Sequence, residues 1–159
     1  MRNLPNSPHG ETWIRVGCNL DKVEEIVDHV LCRVDGETLP IEKLFGLRLA
    51  LHEALSNAIR HGNRNRPELP VSIRFRRKSD RLEITIRDEG EGFDCNALPD
   101  PTVGENLYQC SGRGVFLMRK LVDEVAYNER GNEVTLMVRH RRDPRLSTPP
   151  DSCGKPPSR

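Results

Sequence analysis

The chain has no charge excess, no long apolar run and no cysteine pattern of a metal site, and each absence removes a class of function. Lysine and arginine number 25 against 24 aspartate and glutamate, so no global field draws the protein toward nucleic acid. Basic residues cluster only locally, at Arg74-Phe-Arg-Arg-Lys78 and Arg139-His-Arg-Arg142. The first cluster falls in a predicted strand that sets its arginines largely on a wet face. Nowhere do 18 apolar residues run together, and no basic-then-apolar leader opens the sequence, so a protein that is neither membrane-spanning nor secreted is expected. The five cysteines (Cys18, Cys32, Cys95, Cys110 and Cys153) are odd in number and lack metal-ligand spacing. Free thiols in a reducing cytoplasm suit them; a redox pair of Cys95 and Cys110 is the alternative. No Gly-x4-Gly-Lys-Ser/Thr loop occurs, so any phosphate site is built without a Walker loop.

What is present is a polar strip on an otherwise apolar helix. In Glu53-Ala-Leu-Ser-Asn57-Ala-Ile-Arg-His61-Gly-Asn63, Glu53, Asn57 and His61 are spaced four apart and rise along one helical face. Beside them Leu44, Leu47, Leu51, Ala54, Leu55, Ala58 and Ile59 form the arc expected to be buried. A carboxylate, an amide and an imidazole at a core's edge suit the wall of a polar pocket. A solvated helix edge would look the same.

The second motif is Arg81-Leu-Glu-Ile-Thr-Ile-Arg-Asp88-Glu-Gly90-Glu-Gly92-Phe93. Leu82, Ile84 and Ile86 alternate with Glu83, Thr85 and Arg87, the period of a strand with one wet face. Asp88 shares the parity of the apolar set and is predicted to point inward. A buried carboxylate is costly without a donor, and a ligand amine would supply one. Gly90 and Gly92 let the backbone bend and approach a ligand; an ordinary strand-ending turn is the bland alternative.

The third motif, Ser111-Gly112-Arg113-Gly114, precedes the apolar-periodic Val115, Leu117, Met118, Leu121 and Val122. It reads as a helix N-terminus, where free N–H groups favour phosphate and where glycine also serves as a simple cap.

At 159 residues the chain is expected to form one domain, over residues 11–142, between a disordered 1–10 and a disordered tail from Asp143. Thr12 to Cys18 reads as a strand, Asp21 to Val34 as an amphipathic helix, and Pro40 to about His61 as the motif helix. Val71–Arg77 pairs with the Asp88 strand as a hairpin. A helix at 114–122 and strands 124–128 and 133–140 follow. Phe93 to Ser111 has no periodicity, and a loop this long is functional or disordered. Strands with one apolar face need cover on that face, which gives an α+β two-layer sandwich: a largely antiparallel mixed sheet with helices on one face.

The order Glu-x3-Asn-Ala-x2-His-Gly, Asp-x-Gly-x-Gly, then Gly-x-Gly before a helix resembles the GHKL ATPase superfamily. Asp100-Pro-Thr-Val-Gly-Glu-Asn-Leu107, leading to Gly112-Arg-Gly-Val-Phe-Leu-Met-Arg-Lys-Leu-Val-Asp-Glu-Val125, is similar to the stand-alone branch of RsbW-type anti-sigma-factor serine kinases. The resemblance covers roughly residues 11 to 142 and implies the Bergerat-type ATP-binding fold, with ATP and Mg²⁺ as cofactors and 93–111 as an ATP lid. It implies that Asp88 accepts a hydrogen bond from the adenine amine, Asn57 is the magnesium ligand and Glu53 the general base. His61, Gly112, Arg113 and Gly114 would face the phosphates; for His61 packing of the helix end, and for Arg113 a solvent-exposed lid position, stay open. Asn132 stands where many members carry a threonine that supports the aspartate. The first helix is acidic (Asp21, Glu24, Glu25, Asp28), a departure from sigma-binding members, whose partner contacts involve this part.

Three functions follow: a serine/threonine kinase of a small antagonist protein acting as phosphoacceptor, a nucleotide-gated binding module, and the catalytic half of a split histidine kinase. The last ranks lowest because no segment reads as a helical dimerisation element with an acceptor histidine. The resemblance also implies a homodimer, with a sigma factor as a further partner; nucleic acid and membrane are not expected. Because the tail carries little apolar surface, removing residues 143–159 should shift the melting temperature by no more than about 1 °C, within the effect of an ordinary surface change. A large drop would show that the tail docks.

Overall fold

The computed structural model describes residues 2–3, 12–17, 19–34, 39–94 and 113–139. The strands β1 (Arg2–Asn3), β2 (Thr12–Val16), β3 (Val71–Arg77), β4 (Arg81–Arg87), β5 (Glu124–Tyr127) and β6 (Glu133–Arg139) form one sheet in the order β1-β2-β3-β4-β6-β5. The helices are α1 (Val23–Val34), α2 (Ile41–Asn57) and α3 (Arg113–Leu121). The expected α+β sandwich is borne out. Its sheet, expected to be largely antiparallel but mixed, has only antiparallel pairs among the described residues. Arg2 and Asn3, read from sequence as part of a disordered start, pair with Arg15 and Ile14.

Period decides which side chains go inside. In β4, Leu82, Ile84 and Ile86 are buried, and their neighbours Ile73 on β3 and Leu136 on β6 lie on the same face. Leu47, Leu51, Leu55 and Ile59 cover that face from the helix layer and are essentially inaccessible, each contributing about 2 kcal/mol. On α1 the inward residues are Val23, Ile26, Val27 and Val30, as their spacing predicts. Asn19 starts the α1 region by accepting a hydrogen bond at Oδ1 from the Asp21 N–H at 2.9 Å, which satisfies an otherwise orphan donor. The acidic run on α1 meets Arg48 of α2, which pairs with both Glu24 and Asp28.

Two burial expectations need correction. Glu83 and Thr85, placed on a wet face by their period, are 9% and 2% exposed. Long cations lie over them: Lys78 Nζ and Arg81 Nε each approach Glu83 at 2.7 Å, and Arg74 donates to Thr85 Oγ1, which also bonds Thr135 Oγ1. Arginine and lysine stems cover surface while their heads find partners. Leu117, counted with the apolar set of α3, is instead 43% exposed.

Helices α2 and α3 pack at unusually short range. A Cβ on Gly46 would lie 2.5 Å from the Leu121 carbonyl oxygen, so only glycine lets the backbones meet there. At its C-terminus α2 widens into a π-helical turn, Ala58–Gly62, closed by Asn63 N–H to the Ala58 carbonyl at 2.8 Å. Such turns inside helices occur frequently at functional sites. Among the described residues no helix is long and apolar enough to cross a membrane. Cys32 is a free, exposed thiol; the other four cysteines, and with them the Cys95–Cys110 alternative, lie outside the described residues.

Candidate nucleotide site

The C-terminal half of α2, the loop after β4, the start of α3 and the turn before β6 enclose a cavity of about 670 Å³. Glu53, Asn57, His61, Asp88, Gly92, Arg113, Gly114 and Asn132, chosen from sequence, all line it. Gly90 does not: it lies behind the wall, packed against the Gly62 carbonyl. Gly112 lies outside the described residues.

Asp88 is the chemically unusual group. It is 8% exposed, and one carboxylate oxygen, Oδ1, accepts the Gly90 N–H at 2.8 Å. Among the described residues Oδ2 has no hydrogen-bond partner. Burial pushes the carboxyl pKa up, against the opposing pull of the Gly90 and Asp88 backbone N–H groups and the charge of Arg130. A buried acceptor with a spare lone pair facing a cavity is suited to a ligand N–H donor.

The neighbours of Asp88 come from distant parts of the chain. A Cβ on Gly62 would overlap the Asp88 carboxylate, and one on Gly90 would overlap the Gly62 carbonyl. The two glycines thus let the end of α2 and the β4 loop close on one carboxylate. Gly62→Ala should cost about 1–3 kcal/mol through overpacking and should weaken any ligand held by Asp88. A melting temperature equal to that of the parent protein would show that the contact relaxes freely.

Asn63, fully buried, accepts the Glu89 N–H at Oδ1 (2.9 Å) and donates from Nδ2 to the Leu69 and Pro70 carbonyls (3.2 Å each). Arg130 donates from Nη2 to the Gly90 carbonyl at 3.0 Å and from Nε to the Glu91 carbonyl at 3.3 Å. Asn132 supports Asp88 through the main chain: its Nδ2 donates to the Asp88 carbonyl at 3.2 Å, and its own carbonyl accepts the Asp88 N–H at 3.1 Å. The amide substitutes for the expected side-chain support by holding the backbone, not the carboxylate. Gly92 and Gly131, both with positive φ, fit the loop and the turn together where any Cβ would collide with the opposite backbone.

At the other end of the cavity, Glu53 and Asn57 lie against Gly114. A Cβ there would meet Asn57 Nδ2 and Glu53 Cδ, each at 2.9 Å. The third motif is therefore in contact with the first, and α3 begins where the polar strip needs donors. Neither Glu53 nor Asn57 has a side-chain hydrogen bond among the described residues, so both remain available to a ligand. His61 lines the cavity with an exposed side chain.

Sequence reasoning missed Asn63, Arg130, Gly62, Arg64 and the ring pair Phe93–Tyr127. The two rings meet edge to face at 5.3 Å, and both line the cavity. Tyr127 shares the inward parity of Val125 on β5, the one signal that would have found it. Arg64 pairs with Glu91 at 3.1 Å across exposed loops, a contact with no sequence signature.

A helix-covered antiparallel sheet with a cavity between a polar helix strip, a buried aspartate and a glycine-led helix defines a nucleotide-using domain. Residues 18–138 match the histidine kinase-like ATPase domain family, and the chain belongs to it. Among curated proteins it is 32% identical over 105 residues to serine-protein kinase RsbW of Bacillus subtilis, covering 62% of this chain and 66% of that one. It is 33% identical over 98 residues to serine-protein kinase RsbW of Staphylococcus epidermidis, covering 57% and 62%. With that of Bacillus licheniformis it shares 37% over 87 residues, 50% and 53% of the two chains. The matches span a little under two thirds of these relatives' own lengths or less.

Proposed function

We propose that the protein binds ATP with Mg²⁺ and transfers the γ-phosphate to a serine or threonine hydroxyl of a small partner protein. The observation that carries this reading is the shared cavity, with a buried Asp88 carboxylate at one end and Glu53 and Asn57 at the other, where neither Asp88 Oδ2 nor the Glu53 and Asn57 side chains have a hydrogen-bond partner among the described residues. Asp88 accepts the adenine amine and disfavours guanine, which presents a carbonyl at that position. Phe93 and Tyr127 give the base an apolar wall. Gly114 and Arg113, at the start of α3, face the phosphates.

The side chains fit a magnesium ion of the kind that keeps several waters. No group of three histidine, cysteine or acidic side chains is placed to hold a metal among the described residues, and Asn57 supplies a single neutral oxygen, with phosphate and water completing the shell. An ion held there would neutralise phosphate charge. Glu53, one turn before Asn57, holds the acceptor's hydroxyl proton at its carboxylate as general base. Phosphoryl transfer needs little beyond alignment and charge neutralisation.

The partner class is that of an anti-sigma-factor antagonist, as the resemblance to RsbW-type anti-sigma-factor kinases implies. A sigma factor as second partner, a homodimer and a cytoplasmic setting belong to the same reading. The test is incubation with γ-labelled ATP, Mg²⁺ and a candidate acceptor, the protein encoded next to this one. Acid-stable, alkali-labile label on that protein is the expected result. Acid-labile label would assign the acceptor as histidine, and tight ATP binding without label would leave a nucleotide-gated module.

A further inference from the structure

The large apolar side chains exposed among the described residues are Ile41 (71%), Phe45 (61%), Leu49 (39%), Phe93 (40%) and Leu117 (43%). Three of them, Ile41, Phe45 and Leu49, follow one another at four-residue steps along α2. The same row continues into Glu53 and Asn57, where α2 ends. Rows at this spacing form the continuous ridges of a helix surface. Leu117 lies on α3 between Gly114, which abuts Glu53, and Leu121, which abuts Gly46, and so stands level with Leu49. An apolar ridge thus leads along α2 directly to the end of the cavity that holds Glu53 and Asn57.

Two of the charged residues beside the ridge, Arg48 and Lys43, are already paired. Arg48 is tied to Glu24 and Asp28, and Lys43 Nζ reaches Asp123 Oδ2 at 2.7 Å and the Arg139 carbonyl at 3.1 Å. The ridge itself offers a partner apolar contact. The chain's own C-terminal segment leaves β6 at Arg139, beside Lys43, but residues 140–159 contain one large aliphatic residue, Leu146, and no aromatic, too little to cover three exposed side chains. Ile41, Phe45, Leu49 and Leu117 together expose roughly 400 Å², about the apolar share of a standard protein–protein contact.

We propose that Ile41, Phe45 and Leu49 of α2, with Leu117 of α3, form the docking ridge for the acceptor protein, whose hydroxyl-bearing segment is flanked by an apolar patch. The inference rests on the kinase reading above and adds the surface that selects the acceptor. Docking along the row delivers the hydroxyl toward Glu53 in the cavity wall, because ridge and base share one helix. The ridge residues act by positioning and touch neither nucleotide nor reacting atoms.

The test is steady-state transfer of label from γ-labelled ATP to the small neighbour-encoded protein, with full-length parent, Phe45→Ser/Leu49→Ser and Phe45→Leu. The double variant should raise KM for the acceptor about tenfold or more, the effect of losing a central apolar contact. Its ATP affinity by calorimetry and its melting temperature should stay unchanged, and Phe45→Leu should restore most of the loss. Equal KM for the parent and the double variant would overturn the ridge while leaving the kinase reading intact. Absence of label with the parent protein would overturn both. A parent dimer that becomes monomeric in the double variant, by sedimentation, would assign the ridge to self-association instead.

Discussion

Asp88→Asn is expected to cost the protein its nucleotide and, at neutral pH, to raise the melting temperature of the ligand-free form. The first effect follows from chemistry: the amide presents donors or a weaker acceptor where a charged acceptor faced the adenine amine. Hydrogen bonds to charged groups contribute about 1.5–3 kcal/mol, so affinity should fall about 100-fold. The second follows from linkage. Burial holds the Asp88 carboxyl above its usual range, so the folded state binds the proton more tightly than the unfolded chain. Stability from this group is therefore lost as pH rises from the ordinary carboxylate value through the raised one. Asparagine removes that cost while keeping an Oδ1 acceptor for the Gly90 N–H. The gain should be present at pH 7, should shrink as pH falls through the raised carboxyl range, and should be gone below about pH 4, the ordinary aspartate value, where folded and unfolded chains both carry the proton. Thermal melts at both pH values and calorimetry with ATP and GTP check both effects. Asparagine melting below the parent at pH 7 would mean that Arg130 and the backbone donors outweigh burial. Equal affinity of the parent for ATP and GTP would remove Asp88 from adenine recognition.

Glu53→Gln should separate binding from chemistry. Glutamine keeps the shape that packs against Gly114, so the α2–α3 contact and ATP affinity should persist. It cannot take a proton from the acceptor hydroxyl, and turnover should fall about 10²–10⁴-fold, the usual scale for a general base. Asn57→Ala should do the converse, weakening binding only when Mg²⁺ is present, because it removes the one side-chain oxygen assigned to the ion. Single-turnover transfer and calorimetry with and without Mg²⁺ distinguish the two. Parent-like turnover by Glu53→Gln would exclude Glu53 as the base.

The two sites of substitution are the ends of a cavity whose walls were legible to different degrees. The Glu53 and Asn57 end is a matter of four-residue spacing on one helix, and α2 presents it as spaced, while His61 reaches the cavity from the π-helical turn that follows. The apolar half of the same row, Ile41, Phe45 and Leu49, obeys the same arithmetic, yet spacing does not say whether an apolar row is covered. Leu117 shows why: its period fits a buried set, but α3 approaches α2 so closely at Gly114 and Gly46 that Leu117 is left beside the contact instead of inside it.

Sequence by itself determined what one element's geometry dictates. Period fixed the buried arcs of α1 and α2, the inward faces of β3, β4 and β6, and the inward parity of Asp88, because a helix and a strand each repeat on a fixed angle. Tertiary structure alone decided which distant groups meet. It set Gly62 against Asp88, Asn63 on the Glu89 amide, Arg130 on the Gly90 and Glu91 carbonyls, and Gly114 on Glu53. It also decided that Glu83 and Thr85, polar and on the outer face, are shielded by their cationic neighbours. Local spacing carries no information about these contacts, since they depend on how closely two layers approach, and that distance is set by side-chain volumes and glycine positions far apart in the chain.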